Sequence, residues 1–361
     1  MSIIFFLTLG GLIYRIVPEL AAESDGRDFL VMELVEKMLA GDVLSLARLI
    51  TRLERDGADV PRIMKQLYPH LGKAYCIGIT GPPGSGKSTV VDRLTAVMRQ
   101  RGFTVGVIAA DPTSPFTGGA VLGDRIRMQQ HYLDEGVFIR SMATRGSHGG
   151  LPRAAGGVIK LMSAFGKDFI LVETVGVGQT ELDIMQNVDT VVVVLVPESG
   201  DAIQTMKAGL FEIADIFAVN KADRPGADNL VTELEMMVRL RSGENWWQVP
   251  VIATEAINDV GIEELYGQIE KHRQALEETG RLSQRRQEQR RREFLEIVER
   301  RVFDELLKLV ERDEELGRHM AMVEAGEIDP YSAADEILRP KKYKNQKPKN
   351  KTANKNAKPR F

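Results

Sequence analysis

The run YCIGITGPPGSGKST, Tyr75 to Thr89, decides how the chain is to be read. Its first six residues are an apolar stretch of strand length, and the helical pattern STVVDRLTAVMRQ begins where the glycines end. Between them GPPGSGKST, Gly81 to Thr89, fits G-x-x-x-x-G-K-[ST] in the strand–loop–helix setting that such a loop requires. Glycines at Gly81, Gly84 and Gly86 let N–H groups converge, and the following helix N-terminus adds positive potential. The loop is therefore a receptor for phosphate groups.

Reading outward, short β-branched runs alternate with helical segments between residues 74 and 270: TVGVIAAD, VFIRSMA, DFILVET, DTVVVVLVP, DIFAVNK and VPVIATE. Runs apolar on both faces belong to a parallel sheet covered by helices. The expected class is α/β, a doubly wound and mostly parallel P-loop sheet. Residues 29–73 show three- and four-residue apolar spacing, which predicts an N-terminal helical extension. Helical spacing returns over residues 271–338, where Phe294, Ile297, Val298, Val302, Leu306, Leu309 and Val310 make one apolar stripe that needs a partner.

The two ends differ in kind. Residues 1–28 are an apolar appendage without a basic leader or a small-residue cleavage site, and short of the roughly 20 apolar residues that span a bilayer. No membrane association is expected, and Met32 is an alternative start. Residues 339–361 have too few apolar side chains to offset the entropy of ordering, so a disordered tail is expected. Ten basic residues and no acid follow Glu336, which leaves the body of a chain of net charge -3 acidic. Nucleic acid is not expected as a partner. A single cysteine, Cys76, excludes a disulfide framework and fits a reducing, cytoplasmic setting.

The loop chemistry assigns Gly81, Gly84, Ser85, Gly86, Lys87, Ser88 and Thr89 to nucleotide binding. Lys87 reaches the β- and γ-phosphates, and the Ser88 hydroxyl binds Mg²⁺. Downstream, Asn220, Lys221, Ala222 and Asp223 form N-K-x-D at a strand end, where a carboxylate accepts from guanine N1–H and N2–H₂. Adenine has no such donor pair, and an unpaired carboxylate at the base would be costly, so GTP is favoured over ATP. Thr254, Glu255 and Ala256 follow the last strand and are placed to back the base with main-chain donors.

Three acids sit where they can face the phosphates: Asp111, Asp124 and Glu173. Mg²⁺ keeps several waters, so one or more of them would orient a water rather than bind the metal. Asp124 reads equally as a helix cap in GDRIRM. Gln179 positions water or is solvated on its glycine-flanked loop, and both readings stand. Asp201 and Lys207 in PESGDAIQTMKAGLFE fit a nucleotide-facing loop or an ordinary connection.

Together, GPPGSGKST, AADPTSPFTGGAVLGDRIRM, ETVGVGQTE, GDAIQTMKAG and NKAD resemble the MeaB/ArgK family of GTPases, from about Leu39 to Leu338. The second and third of these stretches are the most specific. The resemblance implies a chaperone-like GTPase that gates adenosylcobalamin delivery to a B12-dependent acyl-CoA mutase and protects that mutase. By matching positions it implies Lys87 and Ser88 on phosphates and Mg²⁺, Asp111, Asp124 and Glu173 as acids of the metal site and switches, and Asn220 and Asp223 on guanine. Lys207 would sense the partner, and the C-terminal helices would form a homodimer arm. Here the chain departs from the family's Gly-Asp-Glu-Leu-Gln with paired lysines: Ala202 and Ile203 replace the third and fourth residues, and Ala208 follows Lys207.

Two other readings were open. A nickel-enzyme maturation GTPase would need Cys/His ligand clusters, and five scattered histidines with one cysteine argue against it. A kinase-like ATPase linked to basic amino-acid transport is opposed by N-K-x-D. No Asp-x-His-x-x-Gly stretch occurs, so adenosylcobalamin is expected on the partner.

Overall fold

A computed structural model of the chain describes residues 25–55, 59–111, 128–143, 155–174, 176, 187–197, 209–241 and 246–338. Asp124, Gln179, Asp201, Lys207, the apolar start through residue 24 and the tail 339–361 lie outside the described residues, and of Asp111 only the backbone is described.

Seven strands are formed: β1 (Tyr75–Thr80), β2 (Val105–Asp111), β3 (Val137–Ala143), β4 (Phe169–Glu173), β5 (Thr190–Leu195), β6 (Ile216–Asn220) and β7 (Val251–Thr254). They make one sheet in the order β3-β2-β4-β1-β5-β6-β7, and every pairing is parallel. The α/β doubly wound expectation holds. Both faces of the central strands β1, β4, β5 and β6 are covered, and every residue of these four is buried. Tyr75, Ile77 and Ile79 of β1, Phe169 and Leu171 of β4, and Val192 and Val194 of β5 enter one core. Their neighbours Cys76, Ile170, Val172, Val191, Val193 and Leu195 enter the other.

The first core is closed by α4 (Lys87–Gln100) and α7 (Ile262–Glu278), through Val90, Val91, Leu94 and Met98 on one and Ile262, Leu265, Tyr266 and Ile269 on the other. Four N-terminal and central helices close the second: α1 (Asp25–Leu39), α2 (Val43–Arg55), α3 (Val60–Leu67) and α5 (Ala155–Ala164). In α2, Leu46, Leu49, Ile50 and Leu53 recur at helical spacing and are buried, each worth roughly 1.5–3 kcal/mol. Asp42 starts α2 by accepting the Ser45 N–H at 3.0 Å. The N-terminal helices thus share a core with the sheet, and do not carry one of their own. On the outer flank α6 (Ala227–Arg241) packs on β6 and β7.

α7 ends at Gly280, whose left-handed φ of 69° closes the helix, and α8 (Arg281–Arg312) begins at once. Contacts divide the chain into a compact body of Ser24–Phe294 and a second body that takes over at Leu295. The first turns of α8 belong to the compact body because they clamp the entry edge of the sheet, where the strands start. Arg286 grips the buried Asp189 carboxylate with two nitrogens at 2.9 and 2.7 Å, and donates to the carbonyls of Gly72 and Ala74. Arg285 bonds the Asp189 carbonyl at 2.6 Å and the Asp215 carboxylate at 3.1 Å, and Gln289 bonds the Val188 carbonyl at 2.8 Å. A buried chain of polar groups lies beside them, from Tyr75 Oη to Thr190 Oγ1 at 2.5 Å and on to His272 Nδ1 at 2.8 Å.

The second body contains the rest of α8, α9 (Glu314–Glu324) and α10 (Pro330–Leu338), with His319 of α9 bonded to Glu336 of α10 at 3.0 Å. Along α8, Phe294, Ile297, Val298 and Val302 of the expected stripe are 40–63% exposed, as are Leu295, Phe303 and Leu307 between them. Leu306 and Val310 are half-buried, and the Leu309 side chain is outside the description.

Candidate nucleotide-binding site

The chain leaves β1 at the point where the strand order turns, since β1 lies between β4 and β5 and later strands continue on the far side. Ligands of open α/β sheets bind at such a point, outside the carboxyl ends of the strands. Every residue that the sequence places at the site and the structure describes lies at this exit edge.

The phosphate loop is fixed by close approaches that exclude side chains. Gly81 has φ 143°, and a Cβ there would sit 2.0 Å from the Val194 carbonyl oxygen of β5. Gly86, with φ 88°, caps α4 in the left-handed region, and its Cβ would meet Asn220 Nδ2 at 2.3 Å. Gly84, with φ 78°, stands over open space at the crest of the turn closed by Ser85 N–H on the Pro82 carbonyl at 3.2 Å. Ser85 is fully buried, and its hydroxyl has no partner among the described residues.

Lys87 opens α4 and is buried, its ammonium donating to the carbonyls of Gly81 at 3.0 Å and Pro82 at 3.1 Å. The charge is held over the loop by the loop itself. Ser88 Oγ donates to Glu173 Oε1 at 2.6 Å, and both residues are buried. Glu173 ends β4, in register with Ile79 and Ala109, and the backbone of Asp111 runs two residues further along β2 at the same edge. A hydroxyl and a carboxylate oxygen side by side form a hard-oxygen donor set, which fits Mg²⁺. Thr174 continues from Glu173, bonding Thr80 Oγ1 at 2.9 Å, and Gly176 comes against Pro83 of the phosphate loop. Thr89 follows Ser88 and is half-buried.

On the other side of β1, Asn220 ends β6 opposite Thr254 of β7. Its Nδ2 donates to the Ser85 carbonyl at 2.8 Å, while its Oδ1 accepts from the Ala256 N–H at 3.1 Å and the Thr254 hydroxyl at 3.3 Å. The asparagine therefore ties the phosphate loop to the turn after β7, a role that the four-residue motif did not reveal. Lys221 adopts φ 59°, a left-handed conformation costing about 1–2 kcal/mol for a residue with a Cβ. That turn brings the Ala222 N–H to the Thr254 carbonyl at 3.0 Å and leaves Asp223 exposed on the rim.

Of the two residues expected to back the base with main-chain donors, Glu255 directs its N–H to the Val260 carbonyl at 3.0 Å and Ala256 directs its N–H to Asn220 Oδ1. The Glu255 donor closes the turn at the exit of β7, where Glu255 and Val260 form an antiparallel bridge, and the Ala256 donor goes to the Asn220 side chain.

A family model described as "Methylmalonyl Co-A mutase-associated GTPase MeaB" matches residues 46–311. A putative GTPase of Pyrococcus abyssi is 51% identical over 314 residues, which cover 86% of this chain and 96% of that protein. The mitochondrial methylmalonic aciduria type A homolog of Mus musculus is 31% identical over 269 residues, 73% of this chain and 65% of that protein. A crystal structure of "LAO/AO transport system kinase" is similar with a TM-score of 0.65 at 25% identity, over 88% of this chain and 98% of its own. With a phosphate loop at the turning point of a parallel sheet and a family match over most of its length, the chain belongs to the MeaB family and is a GTPase.

Proposed function

We propose that this GTPase serves as a chaperone of a B12-dependent acyl-CoA mutase, using GTP hydrolysis to gate adenosylcobalamin loading and to protect the mutase from inactivation. The observation that carries this reading is the match of residues 46–311 to a family described as associated with methylmalonyl-CoA mutase. Adenosylcobalamin would be bound by the partner.

In this reading Gly81, Gly84, Ser85, Gly86 and Thr89 cradle the phosphates, and Lys87 turns its donors from the Gly81 and Pro82 carbonyls to phosphate oxygens. Ser88 and Glu173, with Asp111 and Asp124, would hold Mg²⁺ or its waters. Mg²⁺ would supply charge neutralisation at the phosphates. Gln179 would orient the attacking water and Lys207 would report the partner. Asn220 and Asp223 would read guanine, Asn220 through the amide hydrogen that the Ser85 carbonyl leaves over.

The exposed apolar face of α8 supports a homodimer through the C-terminal helices, and the division 29–73, 74–270 and 271–338 is proposed as the functional layout. No helix among the described residues is long and apolar enough to cross a membrane, and a cytoplasmic location is proposed.

The test is GTP turnover with and without the candidate mutase in its apo and adenosylcobalamin-loaded forms. The expected result is slow basal hydrolysis that rises with the mutase; no binding and no change in rate would sink the chaperone reading. Because the similar crystal structure is described as a transport-system kinase, ATP is the informative competitor. Equal affinity for ATP and GTP would overturn the guanine assignment.

A further inference from the structure

Two buried hydroxyls meet at the exit edge between β1 and β4: Thr80, the last residue of β1, and Thr174, which follows β4. Ile79 stands opposite Glu173 in the register, so Thr80 and Thr174 are the next pair along the two strands. The Thr174 N–H donates to the Ile79 carbonyl at 3.1 Å, and the Thr174 hydroxyl donates to Thr80 Oγ1 at 2.9 Å. Successive side chains of a strand point to opposite faces. Leu171 enters the core closed by α4, and Glu173, two residues on, faces the same side, where the Ser88 hydroxyl meets its carboxylate at 2.6 Å. Val172 enters the other core, and Thr174 follows it to that side. The end of β4 is thus held from both faces, by a carboxylate on one and a hydroxyl pair on the other.

Buried hydroxyls cost free energy unless they are paired, and two apolar side chains of the same shape would fill this space without that demand. What the pair adds is direction. Turning the end of β4 about its own axis would swing the Glu173 carboxylate away from Ser88, and the same turn would have to break the bond on the opposite face. We propose that Thr174, through Thr80, is a positioning residue for GTP hydrolysis, fixing the end of β4 so that the Glu173 carboxylate stands against the Ser88 hydroxyl. Thr174 faces away from Ser88, so its effect is carried by Glu173. The inference rests on the reading of Ser88 and Glu173 as groups that hold Mg²⁺ or its waters.

The test uses the full chain and measures binding of a non-hydrolysable GTP analogue by calorimetry with and without Mg²⁺, beside kcat and the thermal midpoint. Thr174→Val removes the donor and keeps the shape, and Thr174→Ser keeps the hydroxyl. Thr80→Val combined with Thr174→Val removes both partners, so that neither is left buried and unpaired. Thr174→Val should reduce the Mg²⁺-dependent tightening and kcat by about tenfold each, with Mg²⁺-free affinity within about twofold, and Thr174→Ser should return both to within about threefold of the parent. The double variant should regain thermal stability over Thr174→Val without regaining the Mg²⁺ effect. A Mg²⁺ effect that returns with stability in the double variant would reduce the pair to packing and overturn the proposal, as would a loss in Thr174→Val that is equal with and without Mg²⁺. If Glu173→Gln weakens the Mg²⁺ effect and Thr174→Val leaves it unchanged, the positioning role falls and the reading of Glu173 survives. If Glu173→Gln leaves the Mg²⁺ effect unchanged, the reading of Glu173 itself falls, and the proposal with it.

Discussion

The two edges of the sheet solve opposite problems with similar residues. At the exit edge Lys87, Ser88 and Glu173 are buried, and their bonds include contacts that the proposed nucleotide and Mg²⁺ would take over: those of the lysine to the Gly81 and Pro82 carbonyls, and that of the Ser88 hydroxyl to Glu173. At the entry edge Asp189 is saturated by a two-point arginine and a backbone N–H from Cys76, with Arg285 on its carbonyl. In the proposed reading, charge at one edge is exchangeable, and at the other it is locked. A buried charge is tolerated in either way, provided that its hydrogen-bonding capacity is met.

The contrast is broken most severely at Arg286. Arg286→Ala strands Asp189 in the core and should cost about 3–5 kcal/mol of stability, read as a lower midpoint in denaturant, with GTP affinity at sub-denaturing conditions nearly unchanged. Lys87→Ala should do the reverse. Turnover should fall roughly 100- to 1000-fold through lost charge stabilisation, while the melting temperature moves by only a few degrees.

The entry edge also predicts a pH dependence. Burial pulls His272 down to about 4, with the nearby Asp215 charge opposing. Between that value and the ordinary 6.5 of an unfolded histidine, the unfolded chain binds a proton that the folded chain refuses. The contribution is therefore complete above about 6.5 and lost as pH falls towards 4, by about 3 kcal/mol in all. Denaturant midpoints across that range should drop less steeply in His272→Asn, and parallel profiles would remove His272 as the cause. The smallest effect is expected at Gly86→Ala, where the new methyl meets Asn220 Nδ2. GTP affinity should weaken about tenfold as the loop shifts, measured by equilibrium binding.

What was legible in the sequence follows the same divide. The seven strands and the phosphate loop were readable because runs apolar on both faces and a glycine-rich turn are local signals. Asn220 was readable as a motif member, but its bond to Ser85 joins residues 135 positions apart and depends on β6 standing beside β5. Arg285 and Arg286 sit in a run so rich in charge that nothing marks them as buried partners rather than a solvated surface. The partners of the Glu255 and Ala256 N–H groups were illegible for a related reason: a turn's own closure and a side chain from β6 compete for them, and spacing does not say which is met.

The bridge through Asn220 also constrains how nucleotide preference can be altered. A single side-chain amide bonds the phosphate loop at Ser85 and the turn after β7 at Ala256, so the two are not separable modules. Redesign at position 220 would change affinity for every nucleotide, whatever its base. Under the proposed guanine reading, exposed Asp223, which carries no such shared duty in the described contacts, would be the position from which to retune selectivity alone.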